Sequence, residues 1–385
     1  MTGRKVILTL SHTDYTQTLG GVEKVVYEQS LAFMENGYDV IHVCPTCQKV
    51  KIRDRIVFQK LLGYKVLENN QKLKETCKIN DLVDVLNERN VSSLLIHSLI
   101  DFRFSDVFTL LDAFPQINVY YYIHDYKSVC INANLLKNAK RFCGEERKCF
   151  QKCYSCKSYW HGIKCSRDYR QLIEAYPRIQ FIFPSQVSKR IWANTYVKIQ
   201  EDRMLVIPHQ STCGEYKTKE LPLKKLRIAY LGHQAFHKGW DAFRALCQSV
   251  DGPDFEYYVL GTTKEQLPNV RVVNVSFLED GPDAMIHAIR EHHIDVVFLW
   301  SICPETYSFT FFESYVCGVF VITNDCSGNI QAKVRELQCG KVLSSVSDLV
   351  SYMESKQVFD DMRRLNTPRP TKLESNTEAI IHLLN

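Results

Sequence analysis

Apolar positions in this chain fall into short continuous runs separated by amphipathic stretches. KVILTL (5–10) is such a run, and VEKVVYEQSLAFMENG (22–37) repeats its apolar residues at helical spacing and stops at Gly37. DVIHVC (39–44) follows as a second run. Strand, helix and strand in that order make a βαβ unit, the seed of a parallel, doubly wound sheet. SLLIHS (93–98), NVYYYIHD (118–125), QFIFPS (180–185) and RMLVIPH (203–209) read as further buried strands. Residues 209–225 are polar and charged with a proline, which marks a boundary. The pattern then restarts with LRIAYLG (226–232), the helix WDAFRALCQSV, and the strands FEYYVLG, VRVVNVSF, IDVVFLW and VFVITND. TEAIIHLLN closes the chain as a short amphipathic helix. The expectation is an α/β protein with one strand–helix sheet in 1–212 and a second in 213–373.

Length agrees with that division, because 385 residues exceed one ordinary core and suit two of about 190. The composition, 45% apolar and 24% charged, is that of a globular protein. No apolar run approaches the roughly 18 residues that a membrane span needs. The start, MTGRKVILTLSHTDY, lacks a signal-peptide pattern, and the expected location is cytoplasmic.

Charge is uneven. Residues 1–215 carry 30 Lys+Arg against 22 Asp+Glu, or +8, and residues 216–385 carry 18 against 21, or −3. The basic half suits an anionic partner, a membrane or lipid phosphate ahead of nucleic acid, for which no motif is present. KVKIRDRIVFQKLLGYK (49–65) mixes six Lys/Arg and one Asp with apolar residues. Such a stretch reads either as a segment for an anionic membrane surface, peripheral at its inner face, or as a solvated surface.

Candidate chemistry clusters after strands. In CPETYSFTFFESYVCG (303–318), Glu305 and Glu313 are eight residues apart, and a helix begins near Ser308. In a helix that spacing separates them by roughly 12 Å. They are too far apart for an acid–base dyad but suited to gripping two ends of one elongated ligand. The free N–H groups at such a helix start attract a diphosphate. Gly20 and Gly21 lie between the first strand and first helix, where they either admit a ligand's phosphate or form a plain tight turn. There is no GxGxxG and no GxxxxGK[ST]. His124 and Asp125 end a strongly apolar strand, where open sheets place their sites. Lys238, in YLGHQAFHKGW with His233 and His237, follows another strand and could neutralise a leaving diphosphate.

Most of the fifteen cysteines are scattered singly. The exception is FCGEERKCFQKCYSCKSYWHGIKC, in which Cys153 and Cys156 have the close-pair spacing of a zinc site. Cys149 and Cys165, with Cys143 or His161 as alternatives, would complete a structural zinc set. Free thiols and a redox role are the competing readings.

GGVEK in the first loop, HD after a middle strand, FPS and VIPH, HKGW opening the second half and PETYSFTFFESYVCG near the end occur in one order over nearly the whole chain. Together they resemble the retaining glycosyltransferases of family four, with the GT-B fold of two Rossmann-like domains facing a cleft. That resemblance implies an N-terminal acceptor domain (1–212), a C-terminal nucleotide-sugar donor domain (213–373), and a C-terminal helix, 374–385, packing back on the first domain. It implies catalytic roles for His124, Lys238 and Glu305, with Glu305 on the donor sugar. It places the diphosphate on Lys238 and the backbone of Ser308, Phe309 and Thr310, the ribose on Glu313, and Gly20 and Gly21 over phosphate and sugar. His233, also expected to bind the donor, stands where many members have an arginine that helps hold the diphosphate, with nearby His237 or weaker charge support as the alternatives. The implied substrates are a UDP- or GDP-linked sugar and a glycan or lipid-linked saccharide acceptor, as in cell-surface polysaccharide synthesis, with no catalytic metal. A nucleotide-sugar epimerase of the same fold and a non-catalytic partner subunit are the alternatives.

Overall fold

The computed structural model describes residues 3–18, 20–52, 55–145, 153–221 and 225–385. Two sheets organise the chain. In spatial order the first contains Met204–Val206, Ile179–Phe183, Asn118–Tyr122, Val91–Ile96, Val6–Leu10, Asp39–Ile52, Arg55–Glu68 and Gln71–Cys77. The first six run parallel, and the last two add antiparallel strands. The second sheet is wholly parallel, in the order Val270–Val273, Phe255–Leu260, Leu226–Leu231, Val296–Phe298, Phe320–Asn324 and Gly340–Leu343. Numbered along the chain, its strands run 3-2-1-4-5-6, the Rossmann order.

The central strands of both sheets are buried on two faces, which explains why they read as unbroken apolar runs, while the edge strands Gln71–Cys77 and Val270–Val273 stay largely exposed. Leu8, Leu94, Val119 and Phe181 face one core, while Ile7, Leu95, Tyr120 and Ile182 face another. In the second sheet Ile228, Tyr230, Val296 and Phe298 oppose Ala229, Leu231, Val297 and Leu299 in the same period of two. The helix Thr377–Leu384 sets Ile380, Ile381 and Leu384 among the residues of the first sheet, near Phe33 and Tyr120. Tyr120 seals this contact by donating from its hydroxyl to the Leu383 carbonyl at 2.7 Å.

Two stretches differ from their sequence pattern. Residues 209–225 include the strand Gln210–Lys217, which pairs antiparallel with Arg369–Ser375. Its side chains are largely exposed, so backbone pairing, not burial, makes it a strand. Residues 49–52 and 55–65 lie in the antiparallel strands Asp39–Ile52 and Arg55–Glu68, which pair with Lys49 opposite Gln59. Arg53 lies outside the described residues, as do the side chains of Lys49, Lys51 and Arg55. Among the described residues no helix is long and apolar enough to cross a membrane.

Candidate active site

Strand ends from both sheets converge on one cavity of about 430 Å³. Its first-sheet wall includes Gly20, Gly21, Lys24, His124 and His209. Its second-sheet wall includes Gly232, Lys238, Glu305, Thr306 and Tyr307, then Ser308, Phe309, Thr310 and Glu313. In each sheet the loops that reach the cavity leave the carboxyl ends of strands, and in the second they flank the switch point between Leu226–Leu231 and Val296–Phe298.

Local chemistry sets each of these residues in place. Ser308 caps the helix Phe309–Val316, its hydroxyl accepting from the Phe311 amide at 3.2 Å. The first-turn amides of Phe309 and Thr310 stand at the positive end of that helix, beside the cavity. Glu313 lies in the second turn, and the backward tilt of helical side chains carries its carboxylate toward the same end. Glu305 is held through its backbone: its amide donates to the Ser327 carbonyl at 3.3 Å, and its carbonyl accepts from Asn329 at 3.0 Å. This works only because residue 328 is glycine. Gly328 has a φ of +62°, and a Cβ there would stand 2.6 Å from Pro304 Cα. Lys238 ends a short turn, Phe236–Lys238, closed by Gly239 at a φ of +84°. A Cβ on Gly239 would come within 2.1 Å of the Trp300 carbonyl, so the Lys-Gly pair is a conformational requirement.

Neither Gly20 nor Gly21 has a positive φ. A Cβ on Gly21 would project toward the Phe309 ring, 3.6 Å away, so glycine there leaves cleft space open. His233 is not among the residues lining the cavity, although Gly232 beside it is. Its imidazole and that of His237 lie below their ordinary pKa, chiefly through burial and partly through Lys238, so both are neutral at pH 7.

Two residues of the cavity, Lys24 and His209, and one behind it, His97, escaped the sequence reading. Lys24 is buried and donates to Glu313 across the cleft at 3.2 Å, with its ammonium 4.9 Å from the Phe309 ring centre. Burial raises the Glu313 carboxyl, and Lys24 opposes that shift. The signal for Lys24 was its place among Val25, Val26, Gln29 and Ser30 on the inward side of the helix Gly21–Glu35, where a charge needs a partner. His97 and His209 each follow a strand, as His124 does. His97, Tyr122, His124, His209 and Phe309 form a column of rings across the cleft. Tyr122 and His124 are parallel at 5.3 Å, His124 and His209 are 5.0 Å apart, and His209 and Phe309 stack at 5.7 Å. Thr306 ties the two sides together by donating to the His124 carbonyl.

The expected zinc set is only partly covered by the described residues. Among the described residues no group of three or more His, Cys, Asp or Glu side chains is placed to hold a metal ion, and Cys149 lies outside them. Cys165, within the helix Tyr159–Ala175, turns its sulfur to the Lys127 carbonyl at 3.9 Å, whereas Cys156 contacts the Asn132 amide. Burial pushes the Cys130 thiol up to about 11.

No protein-family model matches the sequence, and no curated protein does. Solved structures do match. Sucrose-phosphate synthase from Thermosynechococcus elongatus superposes with a TM-score of 0.58 at 12% identity, covering 94% of this chain and 95% of that one. A glycosyltransferase from Rickettsia africae gives 0.55 at 14% identity, over 99% and 93%. Anabaena HepE in complex with UDP-glucose gives 0.53 at 12% identity, over 94% and 93%. Likeness at this identity concerns architecture: the chain has the GT-B fold, two Rossmann-like domains facing a cleft.

Proposed function

We propose that the protein is a retaining glycosyltransferase that moves a sugar from a nucleotide-sugar donor to a glycan or lipid-linked saccharide. One observation carries this reading: Glu305 and Glu313, the cation Lys238 and the helix end at Ser308–Thr310 line a single cavity. In the proposed arrangement Glu305 binds hydroxyls of the donor sugar and Glu313 those of the ribose. Lys238 and the amides of Phe309 and Thr310 hold the diphosphate and stabilise its developing charge as it leaves. The acceptor hydroxyl attacks from the face the diphosphate vacates, and its proton passes to the departing phosphate, so the product keeps the donor's anomeric configuration. The UDP-glucose complex of Anabaena HepE makes UDP-sugars the first donors to test. The deciding assay incubates the purified chain with UDP- and GDP-linked hexoses and scores release of nucleoside diphosphate with and without acceptor. A chain that hydrolyses and transfers none of them is not this enzyme.

Glu313→Gln is expected to weaken UDP binding about tenfold, the cost of one charge-assisted hydrogen bond, with a smaller effect on kcat because the ribose is remote from the breaking bond. Gln keeps a polar partner for Lys24, which Ala would leave as a buried lone cation. Unchanged UDP affinity by calorimetry would remove Glu313 from the ribose.

The basic N-terminal half is proposed as the acceptor side, set at the inner face of an anionic membrane. Neutralising Lys49, Lys51, Arg53 and Arg55 removes four charges, each worth about 1 kcal/mol near such a surface. Cosedimentation with anionic vesicles at low salt should then be lost while donor hydrolysis is retained. If the unaltered chain ignores these vesicles, a free glycan replaces the lipid-linked acceptor.

A further inference from the structure

His97 stands behind His124, and the pair defines a question of tautomers. His97 is 2% exposed, and its Nδ1 lies 3.1 Å from Nε2 of His124. The Tyr122 ring stacks on His97 at 4.5 Å and 13°, which fixes the imidazole plane. Burial, then the neighbouring imidazoles, holds both rings well below their usual range. Both are therefore neutral, and each carries one N–H and one bare nitrogen.

Only two arrangements satisfy the contact. If His124 donated from Nε2, His97 would carry its own proton on Nε2. That nitrogen is buried with no hydrogen-bond partner, so the proton would be an orphaned donor, the rarest of buried polar defects. If His97 donates from Nδ1, the unpartnered Nε2 is merely a bare lone pair. We propose that His97 is a positioning residue: it donates from Nδ1 to Nε2 of His124 and so holds His124 as its Nδ1–H tautomer. His124 lines the cavity, and its Nδ1 has no bonding partner among the described residues. The cavity is thereby offered a hydrogen-bond donor. His124 cannot serve as a base there, and it is matched to an oxygen of the ligand. The consequence for catalysis rests on the cavity being the donor-sugar site. The tautomer does not.

The test is a long-range ¹H–¹⁵N correlation spectrum of histidine-labelled, ligand-free protein, with His124→Gln to assign the resonances. The expected spectrum has Nδ1 of His124 protonated and Nε2 bare. His97→Phe keeps a stacking ring and removes the donor. It should release His124 into a tautomer mixture and lower kcat about tenfold, the value of one oriented hydrogen bond, with KM for the donor little changed. His97→Asn, whose amide nitrogen falls near the place of Nδ1, should restore both. An Nε2–H signal for His124 in the unaltered chain overturns the proposal, and that spectrum can be read even if the Phe variant does not fold. So does an unchanged His124 tautomer in a folded His97→Phe. If the tautomer is as expected but transfer ignores His124→Gln, the sugar-site reading fails instead.

Discussion

Glu305→Gln is expected to lower sugar transfer about a hundredfold, the cost of exchanging a charge-assisted acceptor for a neutral amide where the donor sugar is held. The structure makes this a clean substitution. The residue's position is set by backbone bonds to Ser327 and Asn329 and by the close approach of Gly328, none of which involves the carboxylate. The carboxylate lies in the cavity wall, and Gln has the same shape. The melting temperature should therefore stay near that of the unaltered chain while kcat/KM collapses. Initial rates and a thermal melt on the same preparation check both halves. Near-normal turnover would remove Glu305 from the donor site.

Acidification below about pH 6.5 should destabilise the protein through its buried imidazoles, offset in part by carboxyls such as Glu313 and Glu28 that burial raises. His42 is completely buried, accepts from the Thr9 hydroxyl on Nδ1 and donates from Nε2 to the Thr13 carbonyl, and burial pushes its pKa down to about 4. Burial takes His209 to about 3, and His97 and His124 also lie well below the ordinary range. In the unfolded chain all four take up protons near pH 6.5. Below that value the unfolded state binds more protons than the folded one, so stability is full above about 6.5 and falls as pH drops toward 4. His42 and His209 would each cost about 3 kcal/mol by pH 4, against a net stability of about 5–15 kcal/mol for a typical domain. Melting temperatures from pH 8 to 4 should decline from about pH 6 downward. His42→Gln should flatten part of that decline. A melting temperature unchanged between pH 7 and 4.5 would mean that these imidazoles are protonated in the folded state.

Residues whose meaning lies in local pattern were legible in the chain itself. The runs KVILTL, LRIAYLG and VFVITND are strands because both sides of each sheet are covered, so no polar alternation is needed. Ser308 announced a helix start, and Glu305, Lys238 and His124 were marked by following strands, where open sheets put their sites. What local pattern cannot carry is pairing between distant segments. The strand Gln210–Lys217 exists through its backbone bonds to Arg369–Ser375, and its polar side chains give no sign of it. Lys24 and Glu313 are 289 positions apart, and only the approach of the two domains makes one the counter-charge of the other. The same holds for the ring column from Tyr122 to Phe309. Periodicity and capping act over a few residues and are written in order along the chain. Burial of a charge, the tautomer of a histidine and the closing of a cavity depend on what arrives from the other sheet, and only the tertiary structure decides them.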